Sequence, residues 1–224
     1  MANLIAATIF DAAPDVATDT DLIAAGELLR EILASTGAPG PPARMARPEV
    51  PLSASALLVN GRDQPRIGSE VQRELASADR VDLLCAFVKW HGLRVLEEQL
   101  AELIRRRHAA GDAAPPLRVI TTTYIGATER RALDRLVELG AHVKVSYETR
   151  MTRLHAKAWL FHRDSGYSTA YVGSSNLSKS ALLDGLEWNV RLSEVEQGHL
   201  RDTLRATLDE YREDPARESY HPTA

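Results

Sequence analysis

The sequence "LHAKAWLF", residues 154–161, is an apolar run that carries a histidine and a lysine two positions apart. Its composition is typical of a buried β-strand, in which alternate side chains point to the same face. His155 and Lys157 are therefore expected on one face, about 6–7 Å apart. Lysine is almost never fully buried without a partner. The stretch therefore predicts a strand that presents an imidazole and an ammonium group side by side.

The composition indicates a globular protein with a locally basic centre. The chain has 224 residues, enough for one substantial α/β domain or a domain with appendages. Its 44% hydrophobic and 26% charged residues are ordinary for a soluble protein, and its net charge of −4 excludes a uniformly basic nucleic-acid binder. Residues 150–191, however, hold six bases against three acids, between two acidic ends. A basic centre of this kind suits an anionic ligand.

The single cysteine and the lack of long apolar runs bear on location. Cys85 has no partner for a disulfide within the chain, which favours a reducing, cytoplasmic compartment. Its apolar neighbours predict a buried strand position without chemistry. No signal peptide and no apolar run of membrane-spanning length is recognised in the sequence. We therefore expect a cytoplasmic protein that does not associate with membranes.

Hydrophobic periodicity predicts alternating strands and helices. Residues 19–36 have the spacing of an amphipathic helix, followed by a Pro/Gly-rich linker. Strands and helices then alternate up to residue 147, and three strands with short connections and a terminal helix follow. The predicted fold is α/β, with a mixed, mainly parallel sheet flanked by helices on both faces and an N-terminal helical appendage. The expected boundaries are 1–50 for the appendage and linker, 51–214 for the main domain, and 215–224 for a C-terminal tail or linker.

Three further polar groups complete a candidate site with His155 and Lys157. Ser174 and Asn176 lie in the stretch "GSSN", residues 173–176, where a glycine allows a ligand to approach the backbone and the side chains offer donors. Glu187 lies in an apolar strand and needs a polar partner, for which His155 is the candidate. Lys157, Asn176 and Ser174 would supply donors to the anionic oxygens of a phosphodiester. No Asp, Glu or His cluster has metal-ligand spacing, so the sequence predicts neither a metal nor another cofactor.

Three other residues are candidates for binding substrate. Trp90 ends an apolar strand, where ligands gather in such sheets, and its ring suits stacking on a base or packing beneath a loop. Arg150 and Arg153 precede the His155 strand and suit either contact with backbone phosphates or simple exposure to solvent.

The spacing of these motifs resembles the half-site signature of the phospholipase D superfamily, H-x-K…G-S-x-N…E. The matching residues are His155 and Lys157, then Ser174 and Asn176, then Glu187, and the resemblance covers about residues 55–195. The sequence around them, including "RLHAKAWLFHRDSG" and "YVGSSNLSKSALLDGLEWNVRLS", is also similar to the nuclease-like domain at the N-terminus of large bacterial DEAD/DEAH-type helicases. Such proteins are associated with restriction and DNA defence.

The resemblance implies a mechanism and an assembly. Family catalysis uses two histidines: one attacks phosphorus to form a phosphohistidine, and the other protonates the leaving oxygen. This chain has one copy of the motif, so the resemblance implies a homodimer in which two copies of His155 face each other. It further implies a DNA nuclease, with helicase domains in the same longer chain. The family's aspartate position is occupied here by His162, which leaves open a degenerate module that binds DNA and dimerises without cleavage. A lipid or small-molecule phosphodiesterase is the remaining alternative.

Overall fold

The computed structural model describes residues 47–61, 65–148, 150 and 153–222 of the chain. Strands and helices are numbered here in chain order. The strands are β1 (Ala56–Val59), β2 (Arg80–Cys85), β3 (Leu117–Thr122), β4 (His142–Ser146), β5 (Lys157–His162), β6 (Thr169–Gly173), β7 (Trp188–Ser193) and β8 (Arg217–Ser219). The helices are α1 (Ile67–Ser77), α2 (Trp90–Ala109), α3 (Arg130–Leu139) and α4 (Glu194–Glu213), with a 3₁₀ turn at Tyr124–Gly126 and a π-helical turn at Ser180–Asp184.

All eight strands form one mixed sheet in the order β1-β7-β6-β5-β2-β3-β4-β8. The predicted α/β class with a mixed sheet is confirmed, but the expectation of mainly parallel pairing is wrong. Only β2-β3 and β3-β4 pair in parallel, and the other five pairs are antiparallel. Each parallel pair joins consecutive strands through a helix, α2 or α3, whereas β5 and β6 follow each other through a short turn, which gives an antiparallel pair.

The helices cover both faces of the sheet, as predicted. Helices α1, α2 and α3 pack with the π-helical turn on one face, where Trp159, Phe161 and Tyr171 form an aromatic column. Helix α4 covers the other face through Leu208, which packs against residues of β2, β3, β5 and β6. Strand β2 lies between β5 and β3 and is buried on both faces, which explains its continuous apolar run "LLC".

Capping residues set the ends of two helices. Gly140 ends α3 in the left-handed conformation at φ 103°, and its amide donates to the carbonyl oxygens of Leu136 and Val137. At the start of α4, the Ser193 hydroxyl accepts a hydrogen bond from the amide of Val195 at 3.2 Å.

A buried carboxylate ties helix α1 to the sheet. Glu74 is fully buried, and its two oxygens accept hydrogen bonds from Arg163 at 2.5 Å and from Arg191 at 3.0 Å. The same carboxylate accepts from the hydroxyls of Thr169 and Tyr171, each at 2.8 Å. Two arginines and two hydroxyls therefore satisfy one charge that would otherwise be costly inside the protein.

The structure tests the prediction for the C-terminal end of the chain but not for the N-terminal end. The predicted helix at 19–36 lies outside the described residues. Residues 217–219, expected within a tail or linker, instead form β8, which pairs antiparallel with β4. Tyr220 follows this strand and packs on the core, and its hydroxyl donates to Asp134 at 2.6 Å. Among the described helices, none has both the length and the apolar character needed to cross a membrane.

We predict that Glu74→Gln lowers the free energy of unfolding by about 3–5 kcal/mol, because Arg163 and Arg191 would remain buried without a counter-charge. Urea denaturation followed by circular dichroism measures the change. The control is Glu98→Gln on the exposed side of α2, where the expected change is below about 0.5 kcal/mol. A loss at Glu74 no larger than that at Glu98 would contradict the assigned role.

Candidate active site

The five residues of the predicted site gather at one edge of the sheet. Lys157 begins β5 and pairs with Cys85, the last residue of β2. Ser174 and Asn176 follow the end of β6, and Glu187 precedes the start of β7. The ends of β2 and β6 and the starts of β5 and β7 therefore meet at this edge, because β5 and β7 run antiparallel to their neighbours.

The side chains of His155 and Lys157 are in direct contact. His155 lies just before β5, so its side chain is not held to the alternation of the strand. The Lys157 Nζ atom lies 3.0 Å from Nδ1 and 3.1 Å from Nε2 of His155, and it donates to the His155 carbonyl oxygen at 2.6 Å. Because the two ring nitrogens point in divergent directions, an ammonium equidistant from both lies over the ring. The His155 side chain itself is exposed, so one of its nitrogens is open to a ligand.

Lys157 is buried, and its surroundings lower the pKa of its ammonium group. Burial lowers the pKa of Lys157, and the nearby Cys85 and Glu187 oppose this effect. The Phe87 ring contacts both site residues, with its centroid 5.9 Å from the Lys157 Nζ and 5.7 Å from the His155 ring centroid. The sequence-based reasoning missed Phe87, because β2 and β5 become neighbours only in the folded sheet. A desolvated cation beside an exposed imidazole is suited to holding a phosphate oxygen.

Asn176 is oriented by backbone at the end of β2. Its Oδ1 accepts a hydrogen bond from the amide of Phe87 at 3.2 Å. Its Nδ2 makes no hydrogen bond within the described part of the chain and is available as a donor. The loop is held by Cys85, whose sulfur accepts from the amide of Leu177 at 3.1 Å and donates to the Phe87 carbonyl at 3.3 Å. Burial raises the pKa of Cys85 to about 11, so the thiol is protonated at neutral pH and acts as packing.

Ser174 and Glu187 bind each other. The Ser174 hydroxyl donates to the Glu187 carboxylate and accepts from the amide of Trp188 at 3.1 Å. The expected contact between Glu187 and His155 is absent among the described residues of this chain, and the carboxylate instead accepts from Ser174. The Glu187 backbone is fixed through its carbonyl oxygen, which accepts from Asn60 at 3.2 Å. Glu187 thus belongs to the site, as an anion near Lys157, and does not orient the histidine of its own chain.

Gly173 has a different role from the one its motif suggests. A Cβ atom at this position would lie 2.2 Å from the carbonyl oxygen of Trp188 and 2.7 Å from the Cα of Asn189. The glycine therefore allows β6 and β7 to approach each other, and approach by a ligand is not what requires it. The following Ser175 is buried and accepts from the Asn189 amide at 2.8 Å, so it is structural.

The predicted substrate-binding residues lie around the same edge. Trp90 is half-buried at the start of α2, with the guanidinium groups of Arg94 and Arg131 at 5.9 Å and 5.3 Å from its ring. Arg153 is exposed and lies 5.5 Å from the Tyr124 ring, and Arg150 is exposed. These cations and rings follow β2, β3 and β4 or precede β5, at the end of the strands where the candidate site lies.

His162, at the family's aspartate position, is paired with a carboxylate from the neighbouring strand. Its Nε2 lies 2.7 Å from Asp82 of β2, and Arg118 donates to the same carboxylate at 2.6 Å. Burial would raise the pKa of Asp82, but the hydrogen bonds from His162 and Arg118 outweigh it and lower the pKa to about 2. The position thus keeps a carboxylate in contact with β5, although the chain supplies it from β2.

No group of three His, Cys, Asp or Glu side chains in the described ranges is arranged to hold a metal ion.

Comparisons with known proteins show the fold. No family model and no curated protein matches the chain. Among solved structures it is similar to Nuc from Salmonella typhimurium, a phospholipase D family member, with 14% identity and a TM-score of 0.54 over 75% of this chain and 99% of that chain. It is also similar to NucT from Helicobacter pylori, with 13% identity and a TM-score of 0.51 over the same shares. The chain therefore has the phospholipase D-like fold that its motif predicts.

We predict an acid-dependent loss of stability at Asp82. Because its pKa in the folded state lies below the ordinary value of 3.8, Asp82 contributes about 2 kcal/mol above pH 4 that is lost as the pH falls toward 2. Urea unfolding of wild type and Asp82→Asn at pH 7, 4 and 3 measures this. The variant should be less stable at pH 7 and should lose less stability on acidification, whereas Asp184→Asn, exposed, should follow wild type. Parallel curves for wild type and Asp82→Asn would refute the prediction.

Proposed function

We propose that this chain is a metal-independent phosphodiesterase of the phospholipase D type that cleaves DNA. The observation that carries the proposal is the contact of the buried Lys157 ammonium with the exposed His155 ring, with Asn176 oriented beside them. Lys157 and the Asn176 amide supply donors for the non-bridging oxygens of a phosphodiester. His155 supplies the nucleophile, and the fold shared with Nuc and NucT supports this reading of the motif.

The proposed reaction has two steps. A His155 nitrogen attacks phosphorus, and the bond to the leaving oxygen breaks as a second imidazole donates a proton to it. Water then attacks the phosphohistidine, and the second imidazole, now neutral, accepts the proton from water. Because each chain has one copy of the motif, the second imidazole is His155 of another copy. Glu187, which does not bind its own chain's histidine, is a candidate partner for that second imidazole.

A surface beside the site fits a second copy. Leu186 and Trp188 flank Glu187 and are 87% and 62% exposed. The exposed side chains of Leu57 and Val172 lie directly opposite Val190 in the neighbouring strands, so they extend the same apolar face. Contiguous exposed apolar patches mark interaction sites, and tryptophan is enriched at their centres. A copy of this chain docked here would bring its own site to the same edge.

The larger context is also part of the proposal. The sequence similarity to helicase-associated nuclease domains supports the proposal that this chain is a module of a restriction or defence protein. Helicase domains would then lie further along the polypeptide. Reading the gene beyond residue 224 for helicase motifs tests this. The degenerate alternative, motivated by His162 at the family's aspartate position and by the acidic ends of the chain, is weakened because Asp82 contacts His162 and keeps a carboxylate beside β5.

We predict cleavage of plasmid and single-stranded DNA in excess EDTA, with a phosphoenzyme that is labile to acid. His155→Asn should lower the rate about a thousandfold or more, since it removes the nucleophile. His199→Asn, an exposed histidine on α4, is the control and should retain full activity. Cleavage that stops in EDTA and returns with magnesium would contradict the metal-independent mechanism. DNA binding without cleavage would favour the degenerate module, and turnover of phosphatidylcholine alone would favour a lipid substrate.

We predict that Trp188→Asp converts a dimer to a monomer and abolishes cleavage, because it places a charge in the proposed interface. Sedimentation velocity and the cleavage assay, run on the same sample, measure both effects. Val195→Asp, at a residue of comparable exposure (56%) on α4, should change neither. A monomeric Trp188→Asp protein that cleaves at the wild-type rate would exclude a site shared between two copies.

A further inference from the structure

A cavity lies beside β4, near the same end of the strands as the candidate active site. It has a volume of about 490 Å³ and lies between the end of β4, the start of α3 and strand β8. Leu133 and Val145 are buried and form its floor, while Tyr147, Tyr220 and Arg130 line its sides. A cavity of this size accommodates a small planar organic group with its polar edges.

The cavity shares a wall with the active site. Thr128, which lines the cavity, donates from its hydroxyl to the carbonyl oxygen of Ala86 at 3.2 Å and accepts from the amide of Val88 at 3.4 Å. Between these two residues is Phe87, whose ring contacts His155. Strand β4 is separated from β5 by β3 and β2, so the end of β4, which lines the cavity, lies three strand spacings, about 14 Å, from the start of β5.

The surface between the cavity and His155 is cationic and aromatic. Arg153 lies 5.5 Å from the ring of Tyr124, and Arg150 is exposed nearby in sequence. Ile125, beside that ring, is 70% exposed and is the only residue other than glycine with positive φ (53°) in the described ranges. Holding a β-branched residue in this conformation costs free energy, and its side chain projects into solvent at the sheet edge. Alternating cations and rings are what a single-stranded nucleic acid needs for its phosphates and bases.

Within the cavity, Tyr147 is the residue best placed to stack on a planar ligand. Its ring is 49% exposed although it follows directly on the buried end of β4. The hydroxyl of Tyr220, by contrast, is bound to Asp134, and this contact and burial raise the pKa of Tyr220. The lining therefore combines the exposed ring of Tyr147 with a guanidinium and the hydroxyl of Thr123, a mixture of apolar and polar groups that fits an uncharged base.

We infer that this cavity is a base-binding subsite for single-stranded DNA. It holds one unstacked nucleobase about two to four nucleotides from the scissile phosphate, given the 14 Å separation and the spacing of phosphates along a strand. A base inside a duplex is stacked and paired and does not enter such a cavity without being extruded. The inference rests on the proposed function, because it makes single-stranded DNA the preferred substrate of that same site.

The test compares Tyr147→Ala with wild type on two substrates. For a single-stranded oligonucleotide, KM should rise about tenfold, the effect of losing one base–aromatic stack. For bis-p-nitrophenyl phosphate, which has no base to place in the cavity, turnover should be unchanged. Tyr147→Phe should retain wild-type KM. Tyr167→Ala, a tyrosine of matched exposure (46%) in the turn at the other end of the sheet, should change neither substrate.

Substrates that carry one abasic position locate the base. At one position along the oligonucleotide, removal of the base should weaken binding to wild type about as much as Tyr147→Ala does. In the Tyr147→Ala variant, removal of the same base should cause no further loss of affinity. Fluorescence anisotropy measures this binding even in protein that does not cleave. An unchanged affinity for Tyr147→Ala, or additive losses at every position, would overturn the subsite. If wild type hydrolyses neither substrate yet shows this pattern in binding, the proposed catalysis fails and the subsite stands.

Discussion

The buried Glu74 carboxylate is the constraint on which the rest of the structure depends. It joins helix α1 to Arg163 after β5, to Thr169 and Tyr171 of β6 and to Arg191 of β7. At the other end of these strands, Lys157 begins β5, Ser174 follows β6 and Glu187 precedes β7. A network that requires every partner permits only one register among the strands, since a shift of one residue would turn these groups to the other face. The polar core therefore determines where the site residues meet.

Much of the fold could be predicted from local patterns. The helices and strands from β1 to α4 follow the hydrophobic periodicity. The pairing of the strands could not be derived in the same way, because strand direction depends on connection length and on contacts distant in sequence. Strand β8 was missed for a related reason. Three residues in a polar segment have little pattern of their own, and they become a strand only because β4 offers an unpaired edge.

The candidate site was predictable in its members and less so in its contacts. The motif spacing identified His155, Lys157, Ser174, Asn176 and Glu187, all of which lie at one edge of the sheet. Three details needed the structure. Glu187 is bound by Ser174 of its own chain, and the role of Gly173 lies in strand packing. Asp82 is a third case: nothing in the sequence indicates that a residue 80 positions away restores a carboxylate at His162, because strands β2 and β5 become neighbours only in the folded sheet.

The antiparallel pairing of β1 with β7 has a consequence for how this protein folds. Ala56 pairs with Arg191, so the first described strand finds its neighbour only after almost the whole domain has been synthesised. The parallel unit of β2, β3 and β4 uses shorter connections and is expected to form earlier, since distant contacts incur the largest loss of chain entropy before they stabilise anything. Glu187 and Trp188 adjoin this late pairing. The surroundings of Glu187 and Trp188 are therefore expected to form only after synthesis has passed β7.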